Sequence, residues 1–152
     1  MNFCDHVIAG LTQGHHVEAF TDQMTSPTYT DDVAQAIGEV CEALQRRAAI
    51  GELRVVHIAN RGGCTRLALA ERIADLLGAS RRLIQPIRMA DQHRPAPRPR
   101  CSMLASSVLP ALIGRSLRSW DEALQAYLRE TQRLNNAPRP AGQASGDGGN
   151  CS

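Results

Sequence analysis

Two periods of apolar side chains alternate along the chain. Phe3, Val7, Ile8 and Leu11 recur at helical spacing on one face, and Gly14 stands where such a helix needs a left-handed residue to end. Val17-Glu18-Ala19-Phe20 switches to alternation and predicts a strand, followed by a polar loop from Asp22 to Thr28. Thr30 as N-cap, with Asp31 and Asp32 at the positive end of the dipole, opens a second helix with Val33, Ile37, Val40, Cys41 and Leu44 on its apolar face. Arg46 and Arg47 close that helix, and Val55-Val56-His57-Ile58-Ala59 then reads as a short strand. This order predicts a βαβ unit in which residues 17–21 run parallel to residues 55–59.

The order then repeats. A loop from Asn60 to Cys64 leads to Thr65 as N-cap, a helix carrying Leu67, Ala70, Ile73, Ala74 and Leu77, a stop at Gly78 and a strand over residues 83–87. Pro95, Pro97 and Pro99 exclude both a helix and a central strand from residues 88–100, which leaves a loop or an extended arm. Ser119 and Glu122 have capping-box spacing ahead of a last helix bearing Leu117, Trp120, Leu124, Tyr127 and Leu128, expected to run to about Leu134. Residues 135–152 are rich in Gly, Pro, Ala, Ser and Asn without apolar periodicity, and are expected to be a disordered tail behind a folded region of residues 1–134. The fold class expected is α/β.

Composition narrows this picture. A chain of 152 residues with 43% hydrophobic content suits one modest domain with a real core. It has no apolar run of the roughly eighteen residues a membrane span needs, and its start resembles no signal peptide, so the expected location is the cytoplasm. The five cysteines are odd in number, scattered and never in C-x-x-C spacing, so they read as free thiols rather than a disulfide framework or a zinc site. Cys4-Asp5-His6, His15-His16, His57 and His93 likewise match no recognised metal-ligand spacing, so no metal is expected. A net charge of +2 points to neither nucleic acid nor a membrane as partner. All 17 basic residues are arginine, so the chain contains no lysine.

Four segments carry a resemblance. Asp22-Gln23-Met24-Thr25-Ser26-Pro27-Thr28-Tyr29-Thr30-Asp31-Asp32-Val33-Ala34 resembles the D-Q-x-x-S-P-T-Y-T-x-D-[LV]-A signature of the dTDP-4-dehydrorhamnose reductases, which are extended short-chain dehydrogenases. The H-x-A-N-x-G-x-[CST] segment from His57 to Cys64, the R-P-x-x-S-x-L segment from Arg98 to Leu104 and the L-x-x-W-x-x-A-L-x-x-Y-L helix from Leu117 to Leu128 follow in that family's order. Asn2-Phe3 resembles the start of the helix that follows the family's catalytic Tyr-x-x-x-Lys. Met24-Thr25 and Arg66 depart from the pattern: an aromatic and a glycine are common at the first two positions, and an aromatic at the third.

The resemblance implies the C-terminal, substrate-binding part of a Rossmann-like reductase, with the nucleotide-binding half expected to be missing. It also implies NADPH-dependent reduction of a dTDP-4-keto sugar in dTDP-rhamnose biosynthesis. The residues limit that implication. The family's reaction needs a tyrosine proton donor with a lysine beside it, and no lysine exists here. Arginine holds its proton too firmly to join a relay. No G-x-x-G-x-x-G turn is present for a pyrophosphate, and Gly10 to Gly14 lie at the wrong end of a helix to bind an anion. No catalytic residue is therefore assigned, no cofactor is expected on this chain alone, and whether it is an enzyme stays open.

A binding site remains. The resemblance places Arg98 near the diphosphate of the sugar nucleotide, a task suited to a guanidinium. Arg100 and Arg94 would add attraction, Ser102 belongs to the same segment, and Gln23, Thr28 and Tyr29 lie in the loop beside the sugar cleft. An Arg/Pro arm is otherwise a solvated loop. Trp120, in the first turn of an amphipathic helix, is expected to pack in the core rather than stack on a base. The expected partner is a dTDP-sugar. A separately encoded N-terminal half would complete an active enzyme, and the alternative is a non-catalytic interaction protein similar to the methionine adenosyltransferase β subunit. The strand at residues 17–21 is expected to present an open edge and an exposed apolar face, giving a marginally stable or aggregation-prone monomer.

Overall fold

The computed structural model describes residues 2–46, 55–93 and 95–131. Helix α1 (Phe3–Thr12) is capped by Asn2, whose side-chain oxygen accepts from the Asp5 N–H at 2.9 Å. It buries Val7, Ile8 and Leu11 and stops before Gly14 at φ +72°, as its spacing predicts. Strand β1 (Val17–Phe20) follows, then the two-residue strand β2 (Met24–Thr25) and helix α2 (Thr30–Arg46). Next come β3 (Cys64–Thr65) and α3 (Arg66–Leu77), which is capped by the Thr65 hydroxyl and ends at Gly78 with φ +65°. The remaining elements are β4 (Ile84–Ile87), β5 (Cys101–Ser102), α4 (Leu109–Ile113) and α5 (Trp120–Glu130). The Ser119–Glu122 capping box forms in full. The expected last turn to Leu134 and the tail at 135–152 lie outside the described residues.

The parallel pair is not the one the order of segments predicts. β1 pairs with β4, Val17 against Ile84 through Phe20 against Ile87. Residues 55–59 form no strand: where that stretch ends, side chains rather than a neighbouring strand satisfy the backbone, the Ala59 N–H donating to Ser106 Oγ at 3.0 Å and the following Asn60 N–H to Thr28 Oγ1 at 3.3 Å. Pro86, opposite Ala19, cannot donate to a ladder, which suits β4 to a sheet edge. β1 has one strand partner among the described residues, yet Val17, Ala19 and Phe20 are all buried, so the expected exposed apolar face is absent. α1 and α3 pack against β1 and supply the cover.

α2 also turns a different face inward. Ala36 and Ala43 are buried, while Ile37 is 49% exposed and Cys41 is exposed. Small side chains let α2 approach α4, where Ala36, Leu109 and Leu117 form a second small core with Val40, Val56, Ile58 and Ile113 against it. A pattern scored on large apolar residues overlooks a face built from alanines. The main core joins α1, β1, α3, β4 and α5 through Val7, Val17, Ile73, Ile84 and Leu128. No helix among the described residues is long and apolar enough to cross a membrane.

Candidate functional site

The second sheet sets the site. β2 lies between β3, antiparallel, and β5, parallel, so the loop beginning at Asp22 is held on both sides. The Met24 N–H donates to the Arg100 carbonyl at 2.7 Å, Ser102 Oγ donates to the Met24 carbonyl at 3.2 Å, and the Leu104 N–H donates to Ser26 Oγ at 3.1 Å. Two sequence segments some 78 positions apart are thus zipped together. Gly63 is required here by space: a Cβ would stand 2.8 Å from the Thr25 carbonyl oxygen and 2.7 Å from Met103 Cε.

Beyond β2, a buried polar network fixes the chain from Thr28 to Asp32. Asn60, 1% exposed, accepts from the Tyr29 N–H at 2.8 Å and donates to Asp32 Oδ2 at 2.7 Å and to the Arg118 carbonyl at 3.2 Å. Arg118 closes the network with a two-point pair to Asp32. Burial pushes the Asp32 pKa up, but hydrogen bonds from Arg118 and Asn60 outweigh it and hold the carboxyl below its ordinary value. Sequence reading missed Asn60 and Arg118, although both lie within recognised segments.

The network presents Tyr29. Its ring meets Tyr127 edge to face at 5.7 Å, and its hydroxyl lies 2.5 Å from Glu130 Oε2 and 2.8 Å from Asp31 Oδ2. These acceptors, Glu130 first and then Asp31, raise the phenol pKa well above its usual value. Such surroundings hold the proton on Tyr29, the reverse of what a proton-donating tyrosine needs. Tyr127 donates its own hydroxyl proton to Asp5.

A cavity of about 500 Å³ opens beside Tyr29, within the size range of small-molecule sites. Phe3, Tyr29, Trp120 and Tyr127 line it, four of the five aromatic residues in the chain. Thr25, Thr28, Thr30 and Asn2 add polar groups, and the Arg66 guanidinium sits over the Phe3 ring at 4.5 Å. Trp120 serves the core as expected and also faces the cavity. Gly62, at φ +83°, lets the chain pass its indole, with a Cβ there 3.4 Å from Trp120 Cδ1.

Of the residues singled out in the sequence, Thr28 and Tyr29 line this cavity. Gln23, half-buried, accepts through its carbonyl from the Arg66 N–H at 3.1 Å. Arg98, Arg100 and Ser102 are exposed on and beside β5, and Arg94 lies outside the described residues. Asn2, Phe3, Arg66 and Tyr127 were not anticipated as site residues. The available signal was the scarcity of aromatics: so few rings in a chain this size make their convergence informative.

No Gly-rich turn for a pyrophosphate occurs among the described residues. Gly10 is packed inside α1 where a Cβ would strike Val17, Gly14, Gly78 and Gly114 end helices, and Gly63 is wedged against Thr25. Among the described residues no group of His, Cys, Asp or Glu could hold a metal ion. Cys4, Cys41, Cys64 and Cys101 are in no disulfide, and burial pushes Cys64 up to about 12. Cys151 lies outside the described residues.

The family model for the RmlD substrate binding domain matches residues 1–133. The chain belongs to this family. The RmlD-type chain is 36% identical over 124 residues to a dTDP-4-dehydrorhamnose reductase of Mycobacterium tuberculosis, covering 80% of this chain and 38% of that protein. Its fold superposes with a TM-score of 0.73 on a crystal structure of a dTDP-4-dehydrorhamnose reductase from Clostridium acetobutylicum, at 26% identity over 87% of this chain and 44% of that one. A Bacillus anthracis dTDP-4-dehydrorhamnose reductase in complex with NADP gives 0.72 at 23% identity, covering 86% of this chain and 43% of the other. The α/β architecture is therefore that of part of a Rossmann-like reductase, and the chain spans about two fifths of the length of these relatives.

Proposed function

We propose that the chain binds a dTDP-sugar, the substrate of a dTDP-4-dehydrorhamnose reductase-like protein, and that these 152 residues alone reduce nothing. The observation that carries the binding reading is the meeting of Thr28 and Tyr29, from the signature loop, with three further aromatic rings around one cavity. Aromatic walls suit a planar base, and hydroxyls and an amide suit sugar and phosphate oxygens. Gln23, Arg98, Arg100 and Ser102 complete the proposed contact set, with Arg98 meeting the diphosphate from the solvent side.

The absence of lysine from the sequence supports the second half of the reading, as does a Tyr29 whose proton is held by carboxylates. NADPH would be bound by other residues of a complete family enzyme. A second reading is a non-catalytic interaction protein, favoured by the exposure of the adjacent apolar side chains Met103 and Leu104. A thermal-shift assay with a dTDP-sugar separates them: stabilisation supports the binding reading, and no shift at saturating ligand leaves the interaction reading. NADPH consumption by the chain with a dTDP-4-keto sugar would refute the claim that it is inactive alone.

A further inference from the structure

The cavity concentrates its charge on one residue. Among the side chains lining it, Arg66 alone carries a full charge. It is the first residue of α3, directly after the capping Thr65, and its N–H donates to the Gln23 carbonyl at 3.1 Å, which ties its position to the signature loop. The guanidinium lies over the Phe3 ring at 4.5 Å. That contact engages the π face of the group, and a guanidinium's N–H fork has the geometry that matches a phosphate. Phe3 in turn is placed by the Asn2 cap of α1, so two helix starts, far apart in sequence, hold this cation at the cavity wall.

Position 66 is also where the sequence departs from the resembling family, which often carries an aromatic there. The exchange puts a cation, in place of a neutral ring, into the wall of a cavity that Tyr29 and Trp120 also line. Arg98, favoured by the sequence reading, is exposed and does not line the cavity. A charge at a partly enclosed wall acts through a lower effective dielectric than one in open solvent. The bland role for Arg66 is packing alone, its stem and guanidinium covering Phe3.

We propose that Arg66 is the anion-binding residue of this cavity and selects a nucleotide whose base lies on the aromatic wall and whose phosphate pairs with the guanidinium. This deepens the sugar-nucleotide reading and rests on it. Titration calorimetry with dTDP and with thymidine, which lacks the diphosphate, tests it on the wild-type chain, Arg66→Ala, Arg66→Gln and Arg98→Ala, with circular dichroism reporting folding. Wild type binds dTDP more tightly than thymidine. Loss of a charge-assisted pair in Arg66→Ala weakens dTDP about tenfold or more and leaves thymidine within about twofold. Arg66→Gln, which keeps much of the stem without the charge, behaves in the same way and decides the matter if the alanine variant unfolds. A smaller loss of dTDP affinity in Arg98→Ala than in the Arg66 variants supports the assignment. Wild-type dTDP affinity in a folded Arg66 variant overturns it and leaves the sugar-nucleotide reading standing. Failure of the wild-type chain to bind dTDP overturns both.

Discussion

Arg118 grips Asp32 at two points, Nε to Oδ2 at 2.9 Å and Nη2 to Oδ1 at 2.7 Å, across 86 positions of sequence. The pair joins the first turn of α2 to the residue before the α5 cap, and Asn60 threads between them. Asp32 is buried and Arg118 is partly exposed, so truncating the arginine strands a carboxylate that water reaches poorly. Arg118→Ala should cost about 2 kcal/mol. Urea unfolding measures this directly, and a loss below about 0.5 kcal/mol would place the Arg118–Asp32 pair among ordinary surface ion pairs.

The same pair predicts a pH dependence. Desolvation works against the Asp32 carboxylate, yet Arg118 and Asn60 more than compensate and its folded pKa lies below the unfolded value of about 3.9. A depressed carboxyl pKa contributes stability above the unfolded pKa and loses it as pH falls through the folded pKa. Other carboxylates, including Asp75 and Asp121, are also depressed, so the stability difference between wild type and Asp32→Asn isolates this group. That difference should be constant near neutrality and shrink below about pH 4. A difference that stays flat to about pH 3 contradicts it.

Tyr29 titrates in the opposite direction. Glu130 and Asp31 hold its proton, so the folded state favours the neutral phenol and the associated stability is complete below about pH 10, then lost at higher pH. Phenolate absorbance at about pH 10 should be the same for the wild-type chain and for Tyr29→Phe, because Tyr29 is not yet ionised there. A clear drop in the variant would mean that Tyr29 ionises like a free tyrosine.

Gly63 lies between the loops that hold the site. A methyl group there meets the Thr25 carbonyl, which is backbone and cannot swing aside as the Met103 tip can. Gly63→Ala should therefore destabilise by about 1–3 kcal/mol, seen as a lowered thermal midpoint. An unchanged midpoint would show that β2 and β3 separate without cost.

Much of the fold was legible in the sequence because its signals were local. The Thr65 cap, the Gly78 stop and the Ser119–Glu122 box each act within one helical turn, and each formed as read. The partner of β1 was not legible: residues 55–59 are as apolar as many strands, but Ser106 and Thr28 take the N–H groups of Ala59 and Asn60 at the end of that stretch, and β4 takes the pairing. Two-residue strands such as β2 and β5 carry no periodicity to detect, and α4 was not anticipated. At the site, motif reading singled out Thr28 and Tyr29, and both line the cavity. It gave no way to see Arg66 and Phe3 meet across the cavity wall, because that contact depends on how α1 and α3 pack.

Trp120 supplies the most direct test of the claim that this cavity binds a nucleotide. It is the one tryptophan in the chain and lines the cavity, so its emission reports occupancy without a label. Titration with dTDP should change that emission along a saturable curve, and dTDP-sugar should follow the same curve shape. Emission that stays unchanged to roughly millimolar dTDP, at the weak end of specific binding, would contradict a nucleotide site beside Trp120.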